Sequence, residues 1–442
     1  MANWAKLQEQ LTGLPVVKRA KHSIHFDKGN GEIVANFSSK PCHYEENGEW
    51  KALDTAIKTL EDGSLGAKGV PVRLNLNGLV RIINENNEDL YSQVTTRVGV
   101  FNSTTRNLVD YINLPVGQVQ DDQLVKDTDL YSHTLRLTET GLREEIVIKS
   151  KPAFVTNKAN LWLVLDTVVT GVSFEDGWLD QFEIAQMHFP PPTATDAEGR
   201  EGTAKRYAKN IGGVQHIFTG LKFSELYRAA YPVTIDPDFA GGTADGWITS
   251  YFAANWAASR TDGKSINTTN TLLVIRQRYA VNPLYGKYRS YLLFDTSSIG
   301  SSSTVTQVNL KTYVTQAAST PVYIIKQDWS SQNPLSTDNM NAAFSNTITS
   351  DKDSASLDLS TTGAKTSGNL STTWVSKTGT TYYALILDTD YDNTESTDQY
   401  YIEIASQNHA TEAYRPVLSV TYTAGSTGVP KQYLHYARLR SN

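Results

Sequence analysis

The sequence predicts an all-β protein in two parts, an N-terminal β-rich, sandwich-like region of one or two subdomains followed by a C-terminal jelly-roll β-sandwich. Three observations predict it. Short runs of alternating apolar and polar residues recur along the chain, bounded by Gly, Asn and Asp. Ser, Thr, Asn and Tyr are dense while charged residues are only 19% of the chain, the usage of sheets whose solvent faces are built from Thr and Tyr. At 442 residues the chain also exceeds what one hydrophobic core holds.

Residues 1–20 read as an arm or short helix, because Trp4, Leu7 and Leu11 recur at helical spacing. From 21 to 238 the pattern is strands. Ser23–Phe26 and Glu32–Phe37 flank a turn at Asp27-Lys-Gly-Asn-Gly, and His43–Tyr44 and Trp50–Leu53 flank Glu46-Asn-Gly. Both turns supply positive-φ residues and read as hairpins. Leu130–Leu137 and Arg143–Ile148 around Glu139-Thr-Gly form a third, and Leu161–Val169 is apolar enough for a core. The polar, charged stretch from Thr193 to Lys209 reads as an exposed loop. Tyr231-Pro-Val-Thr-Ile-Asp-Pro reads as a last strand passing into a linker, which puts the boundary near 238.

Residues 239–423 carry the second set of strand candidates, among them Leu272–Arg278, Tyr288–Phe294, Val305–Thr315, Val322–Gln327, Tyr382–Leu387, Gln399–Ala405 and Val417–Tyr422. Long Ser/Thr-rich connections between them suit a jelly roll. Alternation places Ser290, Leu292 and Phe294 on one face of their strand and Arg289, Tyr291 and Asp295 on the other. A structural ion pair at Arg289 and an Asp-centred turn at Asp295 are the expected uses of those charges. Residues 424–442 read as a linker and an anchor tail.

The segment Tyr288-Arg-Ser-Tyr-Leu-Leu-Phe-Asp-Thr-Ser-Ser-Ile, followed by Val305-Thr-Gln-Val-Asn-Leu, resembles the DNRLRE-type domain, as does the ending from Tyr401 to Tyr422. The resemblance covers roughly 240–423. It implies a jelly roll of the kind found in phage structural and bacterial surface proteins, in some cases as a carbohydrate-binding module, and it implies no catalysis.

Exclusions narrow the function. A net charge of −6 gives no global attraction to nucleic acid. No apolar run is long enough to cross a bilayer, and the first residues do not have the form of a secretory signal. One cysteine, Cys42, rules out an intrachain disulfide framework and reads as a small packed residue. The eight histidines show no H-x-x-x-H or H-x-H spacing, and there is no G-x-S-x-G elbow, P-loop or dinucleotide fingerprint. The expectation is a protein that is not an enzyme.

Three sets of residues carry candidate binding chemistry. Trp247, Tyr251, Trp256 and Tyr285 lie among Asn and charged residues, the make-up of a sugar platform, against the alternative that they are core. Asp388, Asp390, Asp392 and Glu395 present hard oxygens at near-alternate positions, which suits Ca²⁺ as the one cofactor in view, against a solvated acidic loop. Tyr433 and Tyr436, with Arg438 and Arg440 beside them, suit a peptide anchored on a partner protein, against a frayed tail.

The expected function is a phage virion structural protein on the particle surface, as capsid decoration or tail-associated, with a part in host-surface glycan attachment. Its expected partners are other virion proteins, a host glycan and further copies of itself. A bacterial cell-surface carbohydrate-binding protein is the alternative.

Overall fold

The computed structural model describes residues 4–425 except 85, 180–181, 185–186, 190, 237–238, 242–244, 251–252, 269, 281–283, 331–334, 336–339 and 410. The chain is all-β, built from antiparallel sheets. It divides into two compact units, Met1–Leu53 with Thr243–Asn442, and Asp54–Gly242.

The first unit is a sandwich. One hydrogen-bonded path runs Val16–Ala20, Ser23–Gly29, Glu32–Phe37, Val417–Thr423, Thr304–Gln316, Tyr400–Ala405, Leu272–Ala280, Leu284–Asp295, Thr380–Leu387, Val322–Lys326 and Lys352–Leu357. The inner faces meet in a core that includes Phe37, Ile275, Leu292, Phe294, Leu310, Ile324, Leu385, Ile404 and Leu418. Alternation along Leu284–Asp295 holds as expected. Leu292 and Phe294 enter this core, while Tyr291 turns to a second cluster with Trp329, Phe344 and Ile386.

The N-terminal 53 residues correct the sequence reading, which split them between a separate arm and the 21–238 domain. They belong to the sandwich. Glu32–Phe37 pairs along the last strand from Glu32 opposite Thr423 to Phe37 opposite Leu418. The helix Trp4–Thr12 packs Trp4 and Ala5 against Ile24, Phe26, Cys42 and Val417. Main-chain pairing with a strand nearly four hundred residues away leaves no local signature. The hairpins themselves are as expected. Asn30 and Gly31 have φ of 55° and 80°, and Asn47 and Gly48 have 55° and 79°, the backbone that two-residue turns need.

The second unit packs two antiparallel sheets. One includes Gly177–Leu179, Lys205–Ile211, Val214–Lys222, Leu161–Thr170, Asp89–Asn102 and Leu79–Ile83 in that order. The other includes Gln123–Asp127, Tyr131–Leu137, Gly141–Ile148, Val233–Asp236 and Thr193–Asp196. Val98, Val100, Leu163, Leu165 and Leu221 of the first meet Tyr131, Ile146, Ile148 and Ile235 of the second. The stretch 193–209, expected as a loop, instead contains a short hairpin and most of the strand Lys205–Ile211. Asp196 organises the hairpin turn by accepting from the amides of Glu198 and Arg200, each at 3.0 Å. Its charged composition reflects outward positions, while Arg206 is buried.

Candidate functional site

Trp256 and Tyr285 of the sugar candidates and Asp390 and Glu395 of the calcium candidates, distant in sequence, come together around the buried strand Leu284–Asp295. Three long polar side chains from this strand or its neighbour are fully covered: Arg289, Lys287 and Gln277 each have 0% exposure. A buried charge is tolerable only when paired and hydrogen-bonded, and the surrounding elements supply the partners.

Arg289 donates from Nε to Asp390 Oδ2 and from Nη2 to Asp390 Oδ1, each at 2.9 Å. Its remaining donors reach the carbonyls of Arg260, at 2.9 Å, and Phe344. Those carbonyls lie in the helices Trp256–Thr261 and Met340–Thr347, within the last turns where carbonyls favour a cation. The guanidinium also lies 3.9 Å from the Phe344 ring centroid. Arg260 donates to the carbonyls of Asp390, at 2.8 Å, and Tyr391, at 3.2 Å. Asn255 starts its helix by accepting from the Ala258 amide at 2.9 Å.

Lys287 has its Nζ 3.4 Å from the Trp256 ring centroid and donates to Gln277 Oε1. Gln277 in turn donates to the carbonyls of Ser396, at 3.1 Å, and Asp398, at 2.9 Å. Burial lowers the Lys287 ammonium to a pKa of about 7, opposed by the charge of Asp390. Trp256 Nε1 donates to Asn393 Oδ1 at 3.1 Å, and the Tyr285 hydroxyl donates to Glu395. That hydrogen bond to a carboxylate raises Tyr285 to about 12.

The geometry answers the candidates one by one. Trp256 and Tyr285 are 7% and 6% exposed and pack against each other edge to face at 5.7 Å, so neither offers an open ring face to a sugar. Trp247 is half-buried, with its ring 5.4 Å from Tyr288. Tyr251 lies outside the described residues, as do Tyr433, Tyr436, Arg438 and Arg440. The acidic stretch does not converge on one point. Asp390 is held by Arg289, Asp392 by Lys352 and the Tyr323 hydroxyl, and Glu395 by Tyr285. Asp388 accepts from its neighbour's amide and from the Thr320 hydroxyl. Among the described residues no group of three His, Cys, Asp or Glu side chains is placed to hold a metal ion. Asp295 accepts from the Ser297 amide at 3.0 Å, the turn expected of it, and Asp390 rather than Asp295 is the partner of Arg289.

Chemically this is a lock. Both oxygens of Asp390 are engaged by one guanidinium, and every cation is directed at a carbonyl, a carboxylate or a ring. It fixes the segment 388–398 and two helices onto the sandwich. Sequence reading missed Lys287 and Gln277; for Lys287 the signal is a charged residue within a run of strand-forming residues, while Gln277 carries none.

No family model matches the chain, and no curated protein matches it. A solved structure of an exo-β-1,3-galactanase from Phanerochaete chrysosporium, with β-1,3-galactotriose, aligns over 92% of this chain and 95% of that one, at 9% identity and a TM-score of 0.15. At that score the likeness carries no weight.

Proposed function

We propose that the chain is a non-catalytic display protein of a phage particle surface. The observation that carries this reading is the lock around Arg289 and Asp390. It commits the charged and aromatic side chains around Arg289 to holding the sandwich together. A scaffold strengthened in this way suits a protein whose task is to persist outside a cell. The surface usage of Ser, Thr and Tyr and the resemblance of residues 240–423 to a module of phage structural and bacterial surface proteins support the same reading.

The test is mass spectrometry and immunogold labelling of density-purified particles. Stoichiometric presence on intact virions, with the protein open to antibody, is the expected result. Absence from the particle overturns the reading, and recovery in the bacterial envelope fraction instead would favour the cell-surface alternative.

A further inference from the structure

The sheet formed by Asp89–Asn102, Leu161–Thr170, Lys205–Ile211 and Val214–Lys222 has two faces, and only one meets the second sheet. Leu163 and Leu165 point into the core between the sheets. Their neighbours Trp162 and Val164 point the other way, where they join Phe101, Tyr207 and Phe218. An aromatic cluster on the face turned away from the core needs a reason.

Trp178 lies over this cluster. It sits on the short strand Gly177–Leu179, which among the described residues pairs with Lys205–Ile211, and is 47% exposed. Its ring is 4.9 Å from Trp162 and 5.2 Å from Tyr207. The two rings that Trp178 packs against each carry an unsatisfied polar atom. Trp162 and Tyr207 are each 3% exposed, yet among the described residues Trp162 Nε1 and Tyr207 Oη have no hydrogen-bond partner. Buried donors left without acceptors are uncommon and costly. The Lys205 ammonium lies 5.8 Å from the Trp178 ring centroid and that of Lys222 lies 5.4 Å from the Trp162 ring.

We propose that this face is a saccharide-binding site, with Trp178 as the platform for the C–H face of a neutral hexopyranose and Trp162 Nε1 and Tyr207 Oη as donors to its hydroxyls. The indole and ammonium groups are donors only, so the ligand must be rich in acceptors. It must also present an apolar face to the indole. A pyranose ring satisfies both demands. Access to the two covered donors requires the Trp178 ring to turn aside, which its exposed position on a three-residue edge strand permits. Asp176, whose Oδ1 accepts from the Asn210 amide at 2.7 Å, sets a negative charge next to that strand against the two lysines, and an oligonucleotide tests which charge prevails.

The experiment uses the purified full chain, an array of bacterial O-chain and capsular polysaccharides and neutral glucan oligosaccharides, and oligodeoxythymidine as a control. Calorimetry follows on whichever glycan is retained. Trp178→Ala is expected to weaken binding about tenfold or more with an unchanged circular dichroism spectrum, and Trp178→Phe to recover part of it. Tyr207→Phe, which removes only the hydroxyl, is expected to weaken binding severalfold. Retention of no glycan, binding indifferent to Trp178→Ala, or preference for the oligonucleotide overturns the proposal. Binding here needs no particle, so its failure is distinguishable from failure of the display reading.

Discussion

Arg289 holds Asp390 through two parallel hydrogen bonds of 2.9 Å across 101 residues of chain. Both side chains are out of contact with solvent, at 0% and 2% exposure. Two helices add their carbonyls to the same guanidinium, so one side chain fixes the relative positions of a strand, a turn and both helices.

Removing one partner leaves the other charged and buried, which costs about 3–5 kcal/mol, whereas replacing both by apolar groups is far milder. Arg289→Met and Asp390→Leu are therefore each expected to destabilise the sandwich by that amount, with the double variant recovering much of the loss. Urea denaturation of the four proteins, arranged as a double-mutant cycle, reads the coupling directly. Additive losses would show that the two side chains do not act as a pair.

Lys287 makes a second prediction, about pH. Its folded pKa of about 7 lies below the 10.5 of the unfolded chain. Between those values the unfolded state binds more protons, so stability rises with pH across that window and the full cost of the buried ammonium is present below it. The slope from this one group is at most about 1.4 kcal/mol per pH unit. Lys287→Met is expected to flatten the stability profile between pH 7 and 10, measured by chemical denaturation beside the wild type.

The local parts of this fold were readable and the long-range parts were not. The turns at Asn30-Gly31 and Asn47-Gly48 declare themselves because positive φ restricts residue type at the turn itself. The alternation that sends Leu292 and Phe294 inward is equally local. The pairing of the N-terminal hairpin with the last strand uses main-chain groups that every residue carries, so the sequence pattern groups residues 21–53 with their neighbours along the chain. Asp390 resembled a cation ligand because the acidic spacing is visible, whereas Arg289 meets it only after folding. Trp178 gave no periodic signal, and its place becomes evident only once Trp162 and Tyr207 lie beneath it.

The seam between the N-terminal hairpin and the last strand is expected to be acid-sensitive. His25 is fully buried, with Nδ1 2.9 Å from the Tyr422 hydroxyl and Nε2 2.9 Å from Ser23 Oγ. Burial depresses His25 to about 3 and His43 to about 4, and lowers His22 as well. A histidine held neutral when folded but free to protonate when unfolded leaves stability intact above pH 6.5 and withdraws it as pH falls. At pH 5 the loss reaches up to about 2 kcal/mol for each of His25 and His43. Denaturation at pH 7 and pH 5 should show this drop, and His25→Gln should shrink it. An equal drop in wild type and variant would place the acid sensitivity elsewhere.

Gly220 supplies the last prediction, in the other unit. Its strand runs beside Leu161–Thr170 with Gly220 opposite Val164, and the backbones approach so closely that an added Cβ would fall 1.8 Å from the Leu163 carbonyl oxygen. No rotamer relieves that contact, because the obstacle is main chain. The strands would have to part at the centre of the sheet that carries Trp162, Tyr207 and Trp178. Gly220→Ala is therefore expected to cost about 3 kcal/mol or more, at the upper end for a single added methyl. Calorimetry should show the loss in the transition of the 54–242 unit, with the sandwich transition unmoved if the two units melt separately. A variant as stable as the wild type would mean that the strands do not approach this closely at Gly220.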